Sequence, residues 1–161
     1  MRVIVTGATS FIGSHAVQAL VSQGFEVCAL IRPNSAGKKN LEQMIKKKEL
    51  LEIIECELSG LKELAVNAEK LSKIGQKWSH DLGRADYWLH LGWDGSGSDN
   101  RKLADIQSMN AVYALDALET AAAAHCKRFL FCGSQAEYGV RNTTMRETDE
   151  LHPLSEYGKA T

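Results

Sequence analysis

Five short apolar runs, each separated from the next by a stretch with helical spacing, constrain this chain more than any other feature. They occupy residues 3–6, 25–31, 51–56, 87–91 and 128–132. Runs that stay apolar along their length, instead of alternating with polar residues, must be covered on both faces. Between them, helix-period patterns fall at 13–22, at 41–50, at 61–74 (with an end as late as Trp78) and at 101–125, where alanines dominate. In the first of these, Ile12, Ala16, Ala19 and Leu20 supply the apolar face and Gly24 the stop signal. Strands and helices taking turns in this way imply an α/β architecture. The expectation is a doubly wound parallel sheet of about five strands, in one domain spanning 1–161.

Charge and composition remove several function classes. Nineteen Lys and Arg against twenty Asp and Glu give a net charge of −1, so no phosphate-backbone footprint, and hence no nucleic-acid partner, is expected. No apolar run approaches the ~18 residues of a membrane span. The chain enters a strand-like run directly after Met1 and Arg2, without a leader pattern, and a cytoplasmic protein is expected. Cys28, Cys56, Cys126 and Cys132 form no CxxC pair and read as reduced, packed thiols. His15 and His80 lack ligand spacing, so no metal is expected, and His90 reads as a packed strand residue. Lys46, Lys47 and Lys48 read as a wet helix face.

In a parallel sheet of this kind, ligands bind beyond the carboxyl ends of the strands. After the first run comes Thr6-Gly7-Ala8-Thr9-Ser10-Phe11-Ile12-Gly13. Glycines at positions 7 and 13 suit a tight turn and close helix–strand packing, and the helix N-terminus beyond them offers free N–H groups to a pyrophosphate. Gly7, Thr9, Ser10, Phe11, Ile12 and Gly13 are therefore the first candidate cofactor-binding residues. The loop resembles the TGxxGxxG signature of the extended short-chain dehydrogenases/reductases, in its TGATGFIG form, with Ser10 in place of the middle glycine. That serine either crowds the phosphates or lends them a hydroxyl. The second run ends at Arg32, with Lys38 and Lys39 close behind and no acid. An arginine there suits a ribose 2′-phosphate, so NADP(H) is expected over NAD(H), a solvated surface arginine being the alternative. Cys56-Glu57-Leu58 is similar to the family's Gly-Asp-Leu segment beside the adenine, and His90-Leu91-Gly92-Trp93 to its His-Leu-Ala-Trp stretch along the cofactor. The resemblance thus adds Glu57, Leu58, Leu91 and Gly92 to the cofactor-binding set.

Three further positions carry the implied catalysis. Ser134, in Gly133-Ser134-Gln135-Ala136-Glu137-Tyr138-Gly139, resembles the second serine of the family's Ser-Ser-x-x-x-Tyr-Gly motif, which hydrogen-bonds a substrate hydroxyl or the carbonyl formed from it. Asn110 resembles the asparagine that orders the family's proton relay; an exposed helical asparagine is the plainer alternative. Tyr157 resembles the general base of the Tyr-x-x-x-Lys pair. Thr161 stands at the lysine position, and Lys159 lies about 200° round a helix from Tyr157. Gln135-Ala136 occupy the place of the Asp-Glu pair of the family's dehydratases, which leaves epimerisation or ketone reduction of a nucleotide-linked sugar as the implied chemistry. The resemblance spans the chain but only half of a typical member, so the later strands and substrate-binding part are expected beyond it. The counterpart of helix 101–125 pairs in a dimer, which implies a homodimer. A non-catalytic dinucleotide-binding module, or an inactive fragment of such an enzyme, is the alternative that Ser10 and Thr161 favour.

Overall fold

The computed structural model of the protein describes residues 1–64 and 84–161. Five strands form one sheet: β1 (Arg2–Thr6), β2 (Glu26–Ile31), β3 (Leu51–Glu55), β4 (Tyr87–His90) and β5 (Arg128–Phe131). Their order is β3-β2-β1-β4-β5, and every neighbouring pair is parallel. The chain builds outward from β1 to β3, then returns to the other side of β1 with β4. The C-terminal ends of β1 and β4 therefore flank the point where the winding reverses, where such sheets leave a crevice.

Alternate residues of the strands feed two cores, which is why the runs are largely apolar. On one face Val3, Val5, Val27, Ala29 and Ile31 pack with Val17 and Val21 of α1 (Phe11–Ser22) and Leu41 of α2 (Lys38–Met44). On the other, Ile4, Cys28, Leu30, Ile54 and Trp88 meet Ala117 and Ala121 of α3 (Ala104–Ala123). Val17 is fully buried, and burying one such side chain is worth roughly 2 kcal/mol. The alanines of α3 let that helix lie close on the sheet. Its outward side carries Met109, Val112, Leu115 and Leu118, all exposed.

The strands match the sequence expectation to within a residue or two, but the helices differ in phase and extent. In α1 the buried stripe is Gly13, Ser14, Val17 and Val21, not Ile12, Ala16, Ala19 and Leu20. Gly13 sets that phase, because its bare backbone fits against the β1–α1 turn, and Ile12 is turned outward. The helix expected at 41–50 is α2, which starts earlier and stops at Met44. There Ile45 becomes extended (φ −92°, ψ 116°) and sinks into the core. Lys46 and Lys47 lie in the following connection and Lys48 opens a short 3-10 turn (Lys48–Leu50), so they are not one helix face. The helix expected at 101–125 is a 3-10 turn (Asn100–Lys102), an extended Leu103, and then α3. Helical structure is present over 61–64; the rest of the 61–74 expectation, with Trp78 and His80, lies outside the described residues.

Candidate functional site

The site is built around the end of β1. Gly7 has φ +65°, and a Cβ there would stand 2.6 Å from the Leu91 carbonyl oxygen and 2.9 Å from the Gly92 nitrogen. Only glycine lets the β1 turn lie this close to the end of β4. Thr6 fastens the junction: its hydroxyl oxygen accepts the N–H groups of Leu91 and Gly92, each at 3.1 Å. With both lone pairs engaged, its single proton goes to His90 Nδ1, 3.0 Å away. That places the ring proton of His90 on Nε2. His90 is 2% exposed, and burial pushes it down to about 4, so it is neutral at pH 7. Stacked on Phe129 and Phe131, it is part of the packing.

Gly13 faces the same turn, and a Cβ on it would collide with the Gly7 carbonyl oxygen. Ser10 caps α1, its Oγ accepting the Gly13 N–H at 3.0 Å. Above these turns lies a cavity of ≈ 410 Å³, lined by Gly7, Thr9, Ser10, Arg32, Glu57, Leu58, Leu91 and Gly92. Of the other candidate cofactor residues, Phe11 and Ile12 are exposed on the first turn of α1, and Gly13 is buried beneath it. Gly92 is a floor position, since a Cβ there would sit 2.7 Å from Leu58 Cδ2. The wall also holds Thr6, Cys56 and Trp93, which belong to the motif segments of the sequence but were not singled out in them, and Ser35 and Tyr113, which sequence reasoning did not place there.

The charges at the rim are unevenly committed. Lys38 Nζ pairs with Glu55 Oε1 at 2.7 Å, whereas Arg32 has no carboxylate partner among the described residues. Beside Arg32, the hydroxyls of Ser35 and Thr9 lie 2.9 Å apart and tie the loop after β2 to the loop after β1. The Cys56 thiol is pushed up to about 11, by burial first and Glu57 second, which keeps it protonated and unreactive.

The candidate catalytic residues lie along the β4 and β5 side. Ser134 heads a 3-10 turn (Gln135–Tyr138): its Oγ accepts the Ala136 N–H at 3.2 Å, and its own N–H donates to Glu137 Oε1. Tyr157 sits in the short helix α4 (Glu156–Ala160), which Ser155 caps through the Gly158 N–H at 3.0 Å. Gly158 lets α4 rest on the Ser134 turn, for a Cβ there would meet the Ala136 carbonyl oxygen at 2.5 Å. The Tyr157 ring stands edge-on to Trp93, with centroids 5.4 Å apart, and Trp93 in turn lines the cavity. The Arg101 guanidinium lies over the Tyr157 ring, 4.7 Å from its centroid. Lys159 is held by Glu156 at 2.6 Å, and the Thr161 N–H bonds the Tyr157 carbonyl at 3.1 Å.

Asn110 is 1% exposed, so the exposed-helix alternative does not hold. Its Oδ1 accepts the Asp94 N–H at 2.7 Å, and its Nδ2 donates to the carbonyls of Asp94 and Ile106. Gln107, which the sequence left unremarked, does parallel work: it accepts from Trp93 Nε1 at 2.9 Å and donates to the carbonyls of Gly95 and Asn100. Together these two amides hold the loop after β4 against α3. Buried amides three residues apart on a helix were the available signal.

Residues 3–161 match the model of the NAD dependent epimerase/dehydratase family. UDP-glucose 4-epimerase 4 of Oryza sativa subsp. japonica is 29% identical over 98% of this chain and 41% of its own length. Among solved structures, the UDP-Glc/GlcNAc 4-epimerase of Campylobacter jejuni superposes with a TM-score of 0.77 at 20% identity, over 99% of this chain and 45% of that one. The UDP-glucuronic acid 4-epimerase of Bacillus cereus, solved in complex with NAD, gives 0.71 at 24% identity, over 99% and 48%. The chain thus spans less than half the length of these relatives.

Proposed function

We propose, from the premise that this chain belongs to the NAD dependent epimerase/dehydratase family, that it holds NADP(H) for a nucleotide-sugar epimerase or reductase. The observation that carries this reading is the cavity floor, where Gly7 and Gly92 admit a ligand to bare backbone at the switch point of the sheet. The residues present fit a dinucleotide: the first turn of α1 can face its pyrophosphate, and Leu58 and Glu57 can border its adenine. Arg32, without a carboxylate partner among the described residues, favours a 2′-phosphate, with the Ser35 and Thr9 hydroxyls beside it. When bound, the nicotinamide supplies the hydride acceptor and donor. Tyr157 then exchanges the proton of the sugar hydroxyl, Ser134 orients that hydroxyl, and Asn110 holds the loop that carries Trp93 against Tyr157. UDP-sugar substrates in the names of relatives support a nucleotide-linked sugar.

A second reading, a dinucleotide-binding module without turnover, is favoured by Thr161 and by Lys159 being tied to Glu156. Turnover of UDP-glucose or UDP-glucuronic acid, followed by NADPH absorbance and by product epimer, separates the two. Turnover supports the enzyme reading; micromolar cofactor binding without turnover supports the module. The exposed apolar side of α3 suits a second copy of the chain, to be read from sedimentation equilibrium. No helix among the described residues is long and apolar enough to cross a membrane; burial pushes the thiols of Cys28, to about 12, and of half-buried Cys126, to about 11, so both stay protonated at neutral pH.

A further inference from the structure

We infer that Arg101 supplies the positive charge that Tyr157 needs beside it for proton exchange, delivered by the loop after β4 instead of by its own helix. This rests on the enzyme reading above. When a sugar hydroxyl is oxidised, its proton passes to the phenolate oxygen of Tyr157 while the hydride of the same carbon goes to the nicotinamide; in reduction both return. Tyr157 therefore holds a negative charge at one stage, and a nearby cation favours that form.

Within α4 no cation is left for this. Lys159 is engaged by Glu156 at 2.6 Å. Thr161, one turn on from Tyr157, is neutral: its N–H bonds the Tyr157 carbonyl and its hydroxyl the Gly158 carbonyl. The loop after β4 fills the gap, laying the Arg101 guanidinium over the Tyr157 ring, 4.7 Å from the centroid. Arg101 Nε donates to the Ser96 carbonyl at 3.0 Å. Gln107 ties the carbonyls of Gly95 and Asn100, the residues just before Ser96 and Arg101, so the charge is held in place. Trp93, from the same loop, closes the edge of the ring. A ring face attracts a cation even in the neutral phenol, and a phenolate, with its charge spread into the ring, attracts it more. The elements packed on α4 are α3 and the 3-10 turns Asn100–Lys102 and Gln135–Tyr138. Of their other charged groups, Glu137 is spent on the Ser134 N–H, Lys102 and Asp105 are exposed and opposite in sign, and Asp116 and Glu119 sit further along α3. Arg101 is thus a positioning residue, acting through Tyr157.

The test reads tyrosinate absorbance of the full chain at pH 9.5, at the lower edge of the range in which an ordinary phenol titrates. Each protein is compared with its own Tyr157→Phe counterpart, which isolates the signal of Tyr157. Arg101→Gln removes the charge but keeps an amide donor for Ser96, and Arg101→Lys keeps the charge. Arg101 is exposed, so both variants fold, with the far-ultraviolet circular dichroism of the parent. At 50 mM salt the parent should hold about threefold more phenolate at position 157 than Arg101→Gln, with Arg101→Lys between them, and 1 M salt should shrink the gap. A substitution that merely loosened the loop would give no such salt dependence. Equal phenolate in the parent and Arg101→Gln, a gap that 1 M salt leaves intact, or Arg101→Lys no better than Arg101→Gln overturns the inference. The titration needs neither cofactor nor substrate, so the two readings fail separately: the expected titration without turnover of UDP-sugars strikes the enzyme reading and leaves the charge effect standing.

Discussion

Lowering the pH from 7 to 5 should weaken the fold through one side chain, His90. In the folded chain burial holds this imidazole down to about 4, against an ordinary 6.5. The unfolded chain therefore binds a proton as pH falls through 6.5 while the folded chain does not, and stability declines steadily until about pH 4. The full difference is about 2.5 units at 1.36 kcal/mol each, or roughly 3 kcal/mol, of which about 2 kcal/mol is lost between pH 7 and pH 5. Geometry supplies the reason that no proton is accepted early. The Thr6 hydroxyl already receives the Leu91 and Gly92 N–H groups and donates to Nδ1, so a second ring proton would point at a donor. Urea unfolding at 25 °C, at pH 7, 6 and 5, measures the effect in the parent and in His90→Asn, whose amide oxygen can still accept from Thr6 but does not titrate. The variant is less stable at every pH, and its loss between pH 7 and 5 should be smaller than the parent's by about 2 kcal/mol. Equal pH dependence in the two proteins would refute the reasoning.

Three substitutions probe the framework of the site. Gly7→Ala places a Cβ at φ +65° against the Leu91 carbonyl and should cost about 2 kcal/mol or more in urea unfolding, with loss of cofactor binding. Thr6→Val keeps the shape but orphans two N–H groups and the His90 Nδ1 acceptor, an expected loss of about 2–3 kcal/mol. Asn110→Ala should leave the sheet intact while speeding amide hydrogen exchange at Asp94 by tenfold or more, since its acceptor is gone.

Strand positions were legible because the inner strands β1, β2 and β4 are largely covered on both faces and the outer strands β3 and β5, though more exposed, still carry apolar side chains at most positions. The phase of α1 was not, for the sequence shows two apolar candidates at Ile12 and Leu20, while the position that must touch the turn is the glycine between them. Ile45 illustrates a different limit: it fits a helical pattern, yet the core takes it in extended form, and α2 ends there. Residues just beyond strand ends were readable from their chemistry and from the family likeness. The roles of Thr6, Gln107 and Ser35 were not, because their partners come from other elements; Thr6 meets His90 across 84 positions of sequence. Asn110 was visible as an unfavourable helical residue, but only the loop after β4 reveals what its amide holds.

The central claim is that a dinucleotide lies in the cavity at the ends of β1, β2 and β4. Hydrogen–deuterium exchange, read peptide by peptide with and without saturating NADP⁺, tests it most directly. The account predicts protection confined to 7–13, 32–37, 57–61 and 91–96, weaker at the second of these when NAD⁺ replaces NADP⁺ or when Arg32→Ala is used. Protection centred instead on the groove between α1 and the end of α2, around His15, Met44 and Lys47, or on no segment at all, would contradict it.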